Sequence, residues 1–311
     1  MTAHRPAPTT IEEAVARIPS WARASSLAVA PLSGGITNRN YRVDVDGEVF
    51  VLRIWSPAAA LLGIDRRREY RCAVAASQAG AGPEVVWFLP EDGIMVTRFV
   101  AGRCLSPGEA VPPQVVERVV RAIRRCHTGP AFDGSFSPFR TVEDYLDVAR
   151  RHGAPLPEDI AELSRPLPAI EASLGRDRYP PRPCHNDLWG PNLIDDGVRV
   201  WIVDWEYAGM GDAYFDLANF AMHHAPSDAM DEALLRAYSG EASDAAFARL
   251  KLLKIVAELR EALWYLAALV LPTATPDFTL HAATHFDRYR TATGDARLTS
   301  WLALVERRGQ Y

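Results

Sequence analysis

The segment CHNDLWGPNLIDDGVRVWIVDWE, residues 184–206, constrains the fold of this 311-residue chain more than any other part of it. It places His185, Asp187 and Asn192 in the spacing His-x-Asp-x4-Asn, and Asp204 follows after a predicted hairpin around an Asp-Asp-Gly turn. A short loop thus supplies the first three side chains, and the end of a strand supplies the fourth. The fold must therefore bring two carboxylates and an amide together.

These residue types, in this order, suit the transfer of a phosphoryl group. Asp187 would orient a hydroxyl and take its proton, while Asn192 and Asp204 would hold the magnesium ion that bridges nucleotide phosphates. His185 is expected mainly to hold the loop in place by hydrogen bonding, and contact with substrate is the lesser alternative. Glu206 lies on the same side of an extended chain as Asp204, so it either assists the metal or forms a salt bridge within the loop.

The pattern along the rest of the chain predicts a small β-rich lobe followed by a larger helical one. Residues 27–54 read as strands with a tight turn at Asp46 and Gly47, residues 65–79 as a helix, and residues 84–89 and 93–99 as two more strands. Helical periodicity dominates from Gln114 onwards, apart from the hairpin at 192–203. The predicted fold class is α+β, with an antiparallel β lobe that carries one helix.

A loop of small and polar residues, LSGGITNRNY at 32–41, precedes the first predicted hairpin. Gly34 and Gly35 allow backbone amides to approach a phosphate group, and Ser33, Thr37 and Asn38 add short hydrogen-bond donors. These five residues are the predicted phosphate contacts. The loop lacks the GxGxxG spacing of protein kinases, which argues against that particular family.

Arg53, in the strand VLRIW, is the predicted cation for the nonreacting phosphates. The chain has only two lysines, Lys251 and Lys254, so no lysine is available for this role in the first lobe. An arginine offers planar, bidentate phosphate contact, and Glu69 in the following helix is expected to pair with it. The alternative is a surface arginine on an edge strand, which the flanking apolar residues disfavour.

Composition excludes several other classes of protein. The net charge of −5 gives no reason to expect a nucleic acid or an anionic membrane as partner. The four cysteines have no CxxC spacing, which disfavours a zinc site. The longest apolar stretch, residues 262–271, is too short to span a bilayer, and the N-terminus lacks the pattern of a signal peptide. We therefore expect a soluble, cytoplasmic protein without membrane insertion.

The loop LSGGITNRNY, the strand VLRIW, the segment CHNDLWGPN and the run VDWEYAG…YFDLANF together resemble the choline/ethanolamine kinases, within the wider aminoglycoside-phosphotransferase-like superfamily. The resemblance covers nearly the whole chain. It implies a bilobal protein-kinase-like fold, with ATP and Mg²⁺ bound between the lobes and a small alcohol as phosphate acceptor. Asp187 then matches the catalytic base and Asn192 and Asp204 the magnesium ligands. Arg53 and Glu69 match the phosphate clamp.

The same resemblance divides the chain and locates the adenine contact. The implied boundaries are 1–97 for the nucleotide-binding lobe, 98–103 for the hinge and 104–311 for the helical lobe. Arg98, Phe99 and Val100 match the segment that contacts adenine. Whether the chain forms a homodimer is left open.

The acceptor site is predicted from the chemistry of ammonium ions, which aromatic faces and carboxylates hold. The candidate residues are Asp187, Glu206, Tyr207, Glu261, Trp264 and Phe278. Glu261 and Trp264 lie one turn apart on a predicted helix. We expect a small cationic alcohol of the choline or ethanolamine type. An aminoglycoside or thiamine is the alternative acceptor, and a nucleotide-binding pseudokinase is disfavoured because the base and the metal ligands are all present.

Overall fold

The first part of the chain forms a five-stranded antiparallel sheet. A computed structural model describes residues 10–33, 35–106, 111–175, 179–224 and 227–307. Helix α1 (Ile11–Ala16) comes first, and the sheet then has the order β1-β2-β3-β5-β4. Its strands are β1 (Leu27–Pro31), β2 (Asn38–Val45), β3 (Glu48–Trp55), β4 (Val85–Leu89) and β5 (Ile94–Arg98).

The hairpin that joins β2 to β3 turns at Asp46 and Gly47, as predicted. Both residues have a positive φ, 49° and 88°, which a two-residue hairpin turn requires and which glycine adopts without steric cost. The resulting register pairs Arg53 with Asn40 on β2 and with Met95 on β5. Arg53 therefore lies on a central strand, and the alternative of an edge-strand arginine is wrong.

Helix α2 (Arg66–Gln78) connects the strands β3 and β4 and begins at Asp65. The Asp65 carboxylate accepts hydrogen bonds from the backbone N–H groups of Arg67 and Arg68, which satisfies two donors at the helix N-terminus. Apart from Glu69, its buried side chains are small: Cys72, Ala73, Ala75 and Ala76. This packing carries Glu69 into the interior, within reach of β3.

The second part of the chain is built around one long buried helix, α9 (Asp244–Ala267), against which α4, α7, α10 and α11 pack. The other helices of this part are α3 (Pro113–His127), α4 (Pro138–Arg151), α5 (Ile160–Leu163), α6 (Leu167–Leu174), α7 (Ala213–His224), α8 (Asp228–Ser239), α10 (Asp277–Thr293) and α11 (Leu298–Arg307). Within the described ranges, no helix combines the length and the apolar character needed to cross a membrane.

Five short strands interrupt the helical part and frame the segment 184–206. The predicted hairpin is present as β8 (Leu193–Asp195) and β9 (Val200–Ile202), and β6 (Arg103–Cys104) pairs with its β8 edge. Strands β7 (Arg182–Cys184) and β10 (Gly209–Gly211) form a separate antiparallel pair. The sequence did not indicate β6, β7 or β10, because each has only two or three residues, too few to show alternation, and β7 and β10 also contain proline or glycine.

The predicted α+β class, with an antiparallel sheet, one packed helix and a larger helical part, is confirmed. The chain passes from the first part to the second between the end of β5 at residue 98 and the start of β6 at residue 103. The lobe boundaries at 97 and 104 remain a prediction.

Candidate active site

The loop between β7 and β8 is tied to helix α7. The buried carboxylate of Asp216, on α7, accepts hydrogen bonds from the backbone N–H groups of His185 at 2.9 Å and Asn186 at 2.6 Å. Asn186 has a left-handed φ of 67°, which asparagine tolerates better than most residues. Its side-chain amide donates to the backbone oxygens of Cys184 and Tyr207. These bonds fix the path of the chain just before the predicted base.

His185 supports this loop from within the protein. Its ring is fully buried, and Nδ1 accepts the backbone N–H of Asp187 at 3.2 Å. Nε2, 3.0 Å from the backbone oxygen of Val203, is consequently the nitrogen that donates. The ring also meets Trp205 edge-on at 4.7 Å. His185 lines neither of the two cavities described below, and both of its ring nitrogens face backbone groups of the loop and of Val203, as expected for a residue that supports the loop.

The hairpin brings Asn192 beside Asp204. The backbone oxygen of Asn192 accepts the N–H of Val203 at 3.0 Å, one residue before Asp204. Nδ2 of Asn192 donates to the backbone oxygen of Asp187 at 2.9 Å and to its carboxylate at 3.2 Å. The side-chain oxygen of Asn192 therefore points away from Asp187. Asp204 has a left-handed φ of 66°, a conformation that costs on the order of 1–3 kcal/mol in a residue other than glycine.

Arg53 links the sheet, helix α2 and the end of β9. Its Nη1 lies 2.5 Å from a carboxylate oxygen of Glu69 and 2.8 Å from one of Asp204. Burial opposes the charge of the guanidinium, but the carboxylates of Asp204, Glu69 and Glu206 outweigh it and raise the pKa of Arg53. The guanidinium therefore stays charged at every physiological pH.

Glu206 lies in a buried hydrogen-bond network. Its carboxylate accepts from the hydroxyl of Thr37 at 2.8 Å, from Nδ2 of Asn38 at 3.3 Å and from Nη1 of Arg66 at 3.0 Å. Burial, together with the nearby charge of Asp204, raises the pKa of Glu206 to about 8, and Arg66 opposes the rise. Glu206 thus forms a salt bridge, as one of the two alternatives expected, but its partner is Arg66 on α2 and not a residue of its own loop. A metal role for Glu206 stays a prediction.

Two adjoining cavities lie where these elements meet. The first, of about 230 Å³, is lined by polar and aromatic residues that include Asp187, Trp189, Asn192, Glu261 and Trp264. The second, of about 340 Å³, is lined mostly by apolar residues, among them Val51, Met95, Phe99, Ile194 and Trp205. Ser33, Asn40, Arg53, Pro191, Val203 and Asp204 line both cavities. Arg53 and Asp204 therefore stand at the junction of a polar cavity and an apolar one.

Aromatic side chains form one side of the polar cavity. Nε1 of Trp264 donates to the hydroxyl of Tyr207 at 2.7 Å, and Trp264 meets Tyr265 edge-on at 5.1 Å. Both tyrosines and Trp264 line the cavity together with Glu261. Phe278 does not line it; its ring packs behind Trp264 at 6.1 Å and Tyr265 at 5.5 Å. Phe278 thus supports the aromatic wall.

The predicted phosphate-loop residues do not all reach the cleft. Ser33, Gly35 and Thr37 line the polar cavity, whereas Asn38 is turned into the Glu206 network and lines neither cavity. Gly34 lies outside the described residues. Gly35 has a φ of 94°, and a Cβ there would come within 2.7 Å of the backbone oxygen of Asn38, so this position requires glycine.

The predicted hinge residues lie at the apolar cavity. Arg98, Phe99 and Val100 line it, and the Arg98 guanidinium turns to the exposed carboxylates of Glu48 and Glu84. The apolar cavity is therefore bounded by the segment that joins the two parts of the chain.

Several residues at or beside the cleft were not among the predicted site residues, and they include Asn40, Arg66, Trp189 and Arg260. Asn40 and Trp189 lie inside the quoted segments LSGGITNRNY and CHNDLWGPN, and their position there was a usable signal. The sequence holds no such signal for Arg66 and Arg260, because each bonds to a residue that is distant along the chain, Glu206 and Asp187 respectively.

Comparison with known proteins agrees with this geometry. Residues 28–253 match the Phosphotransferase enzyme family. The chain is 30% identical over 213 residues to Protein LicA of Haemophilus influenzae, a match that covers 67% of this chain and 62% of that protein. The aligned stretch thus spans less than two thirds of this relative.

Solved structures show the same architecture. A choline/ethanolamine kinase family protein from Mesorhizobium loti superposes with a TM-score of 0.79 at 31% identity, covering 95% of this chain and 97% of that one. The choline kinase LicA from Streptococcus pneumoniae superposes with a TM-score of 0.72 at 21% identity, covering 85% and 92%. At 21% identity, the second likeness shows the fold alone. The protein-kinase-like fold expected from the sequence is confirmed.

Proposed function

The chain belongs to the Phosphotransferase enzyme family, and from this premise we propose that it transfers the terminal phosphate of ATP to the hydroxyl of a small cationic alcohol, with Mg²⁺ as the metal. The names of the relatives, choline and ethanolamine kinases among them, favour this acceptor class. The observation that carries the proposal is the polar cavity, which Asp187, Asn192, Asp204 and Arg53 line together with Glu261 and several aromatic residues.

The chain's own residues supply positioning and charge in this reaction. Asp187 orients the acceptor hydroxyl and takes its proton, and Arg53 neutralises the nonreacting phosphates. Backbone groups of the loop that contains Gly35 approach the phosphates, and the apolar cavity receives the base of the nucleotide. Most of the acceleration comes from holding the reactants in line and stabilising charge, since phosphoryl transfer requires little covalent chemistry from the protein.

The residues present fit a magnesium ion. Mg²⁺ prefers oxygen ligands and is held by one or two carboxylates together with substrate phosphates. Asp204 and Asn192 both line the polar cavity, and the Asn192 nitrogen is already engaged by Asp187, which leaves the amide oxygen of Asn192 and the carboxylate of Asp204 as the ligands. When bound, the ion neutralises the charge on the phosphates.

The size of the polar cavity favours a small acceptor over an aminoglycoside. Pockets for drug-sized ligands measure roughly 300–1,000 Å³. The polar cavity measures about 230 Å³, and part of it adjoins the phosphate-binding residues. Glu261 offers charge, and the rings of Trp264, Tyr265 and Tyr207 offer the faces that attract a cation.

The experiment that tests this proposal is ATP consumption with a panel of alcohols: choline, ethanolamine, thiamine and kanamycin. The neutral choline isostere 3,3-dimethyl-1-butanol is the matched control for charge. We expect choline or ethanolamine to give the highest kcat/KM and the neutral isostere to be at least tenfold poorer. Faster turnover with kanamycin, or equal turnover with the isostere, would contradict the proposed acceptor class. Nucleotide binding without turnover on any alcohol would indicate a pseudokinase.

Arg53→Met is expected to raise the KM for ATP and to lower kcat. A charge-assisted contact contributes roughly 1.5–3 kcal/mol, equivalent to about 10–150-fold in kcat/KM. Folding should survive, because Nη1 of Arg66 also lies 2.8 Å from the Glu69 carboxylate and keeps that buried group paired. Arg53→Lys should restore only part of the activity, since lysine keeps the charge and loses the planar fork.

Arg67→Met, at an exposed arginine of α2 that pairs with Glu91, is the control for this series. Steady-state kinetics with ATP as the varied substrate test whether Arg53 contacts the nonreacting phosphates. If both Arg53 variants behave like the unaltered protein, the phosphate clamp lies elsewhere.

A further inference from the structure

We propose that Arg260 is a positioning residue, which holds the carboxylate of Asp187 in its working orientation and offsets part of the negative charge of the acceptor cavity. The inference rests on the proposed function, because it concerns the group that receives the proton of the acceptor. Sequence reasoning did not single out Arg260, and it lines no wall of the polar cavity itself.

Arg260 lies on α9, directly behind the predicted base. It is fully buried, and its Nη1 donates to Oδ1 of Asp187 at 3.1 Å and to Oε2 of Glu261 at 3.3 Å. Its guanidinium stacks 4.9 Å from the centre of the Tyr207 ring. The other oxygen of Asp187 accepts from Nδ2 of Asn192 at 3.2 Å. Each carboxylate oxygen of Asp187 therefore has one fixed donor, and the two donors together define its plane.

The remaining contacts of Arg260 do not account for its burial. Its Nε and Nη2 have no hydrogen-bond partner among the described residues. Burying a charged group with unpaired donors is costly, and an apolar side chain of similar size would pack in α9 at a lower cost. The benefit that offsets this cost lies at Asp187 and Glu261, the two carboxylates that the guanidinium touches.

Arg260 also changes the charge at the acceptor cavity. The carboxyl groups of Asp187, Asp204, Glu206 and Glu261 line the cavity, together with the guanidinium of Arg53. Arg260, which pairs with Asp187 and Glu261 from behind, adds a positive charge there and offsets part of the negative charge. The acidic groups still outnumber the two arginines, which favours a cationic ligand. Without Arg260, the cavity would attract a cation more strongly but would lose the fixed orientation of Asp187.

The test is steady-state kinetics of the full chain carrying Arg260→Met or Arg260→Lys. Arg260→Met should lower kcat by about a hundredfold, the scale of loss when a reacting group is misplaced. The KM for the cationic acceptor should fall or stay unchanged, because a repelling charge has been removed. Arg260→Lys, with one donor in place of the fork, should give an intermediate kcat. If Arg260 had only a structural role, Arg260→Met would instead raise the KM for the acceptor, since a disturbed cavity binds its ligand less well.

Arg249→Met is the matched control, because Arg249 is also a buried arginine of α9, 4% exposed and paired with Asp212 away from the polar cavity. It should leave kcat per folded molecule unchanged. Circular dichroism and nucleotide affinity report folding for each variant. If Arg260→Met does not fold, the effects on kcat and on the KM for the acceptor are compared in Arg260→Lys instead.

A double variant, Asp187→Asn with Arg260→Met, tests whether the two residues act together. If Arg260 acts through Asp187, the double variant should be no slower than Asp187→Asn alone. An unchanged kcat in both Arg260→Met and Arg260→Lys would overturn the inference while the proposed function stands. So would a fall in kcat on Arg260→Met that is equally large in the unaltered protein and in Asp187→Asn. Absence of alcohol-dependent turnover in the unaltered protein would mark the failure of the proposed function itself, and the inference would fall with it.

Discussion

Asp187→Asn is expected to lower kcat by about 10²–10⁴-fold, the usual contribution of a general base. Asparagine keeps the size of the side chain but cannot accept the proton of the acceptor hydroxyl. The Asn192 amide still finds the backbone oxygen of residue 187, 2.9 Å away, so the proposed metal site should persist. Arg260 keeps its second partner, Glu261. We therefore expect folding and nucleotide affinity close to those of the unaltered protein.

Asp195→Asn is a matched control for this substitution. Asp195 is buried to a similar degree, 14% exposed against 19% for Asp187, and likewise pairs with an arginine, Arg118 at 2.6 Å. It lies on β8 and lines neither cavity. Single-turnover and steady-state kinetics on the two variants separate the loss of a base from the loss of a buried ion pair. A near-normal kcat in Asp187→Asn would exclude Asp187 as the base.

The sequence indicated those parts of the cleft whose residues are close in the chain. Asp187 and Asn192 share one loop, and the hairpin that follows returns the chain beside Asn192 and so delivers Asp204. The helix between β3 and β4 likewise brings Glu69 to Arg53, 16 residues away. In each case, a turn signal or a helical pattern defines the local path, so proximity in the fold follows from proximity in the chain.

Contacts between distant residues could not be predicted in this way. Arg260 meets Asp187 across 73 residues, and Thr37 meets Glu206 across 169 residues. Neither contact leaves a periodic trace, because each depends on how whole helices and strands are arranged. Asn38 shows the consequence of such packing. Its short side-chain amide, in a loop with two glycines, suggested a phosphate contact, but the tertiary structure directs that amide toward Glu206.

Asp204→Ala is expected to abolish Mg²⁺-dependent turnover more completely than Glu206→Ala. Asp204 faces the polar cavity at the end of β9, where its carboxylate would hold the metal, whereas Glu206 is engaged by Thr37, Asn38 and Arg66. Loss of a residue that only supports a metal ligand typically costs about 10–100-fold. Loss of a ligand should exceed that range, and a Mg²⁺ titration of turnover measures both variants.

Asp204→Asn distinguishes the metal from the backbone in this experiment. Asp204 has a φ of 66°, which alanine adopts only with strain and asparagine tolerates. Alanine therefore removes a ligand and strains the turn, while asparagine removes only the charge. If charge on the ligand matters, Asp204→Asn should still need more Mg²⁺ for half-maximal activity, with unchanged thermal stability. Should Asp204→Ala alone be impaired, with normal Mg²⁺ dependence in Asp204→Asn, the backbone of this turn and not a metal ligand would explain the loss. Unchanged Mg²⁺·nucleotide affinity in both variants would exclude Asp204 from the metal site.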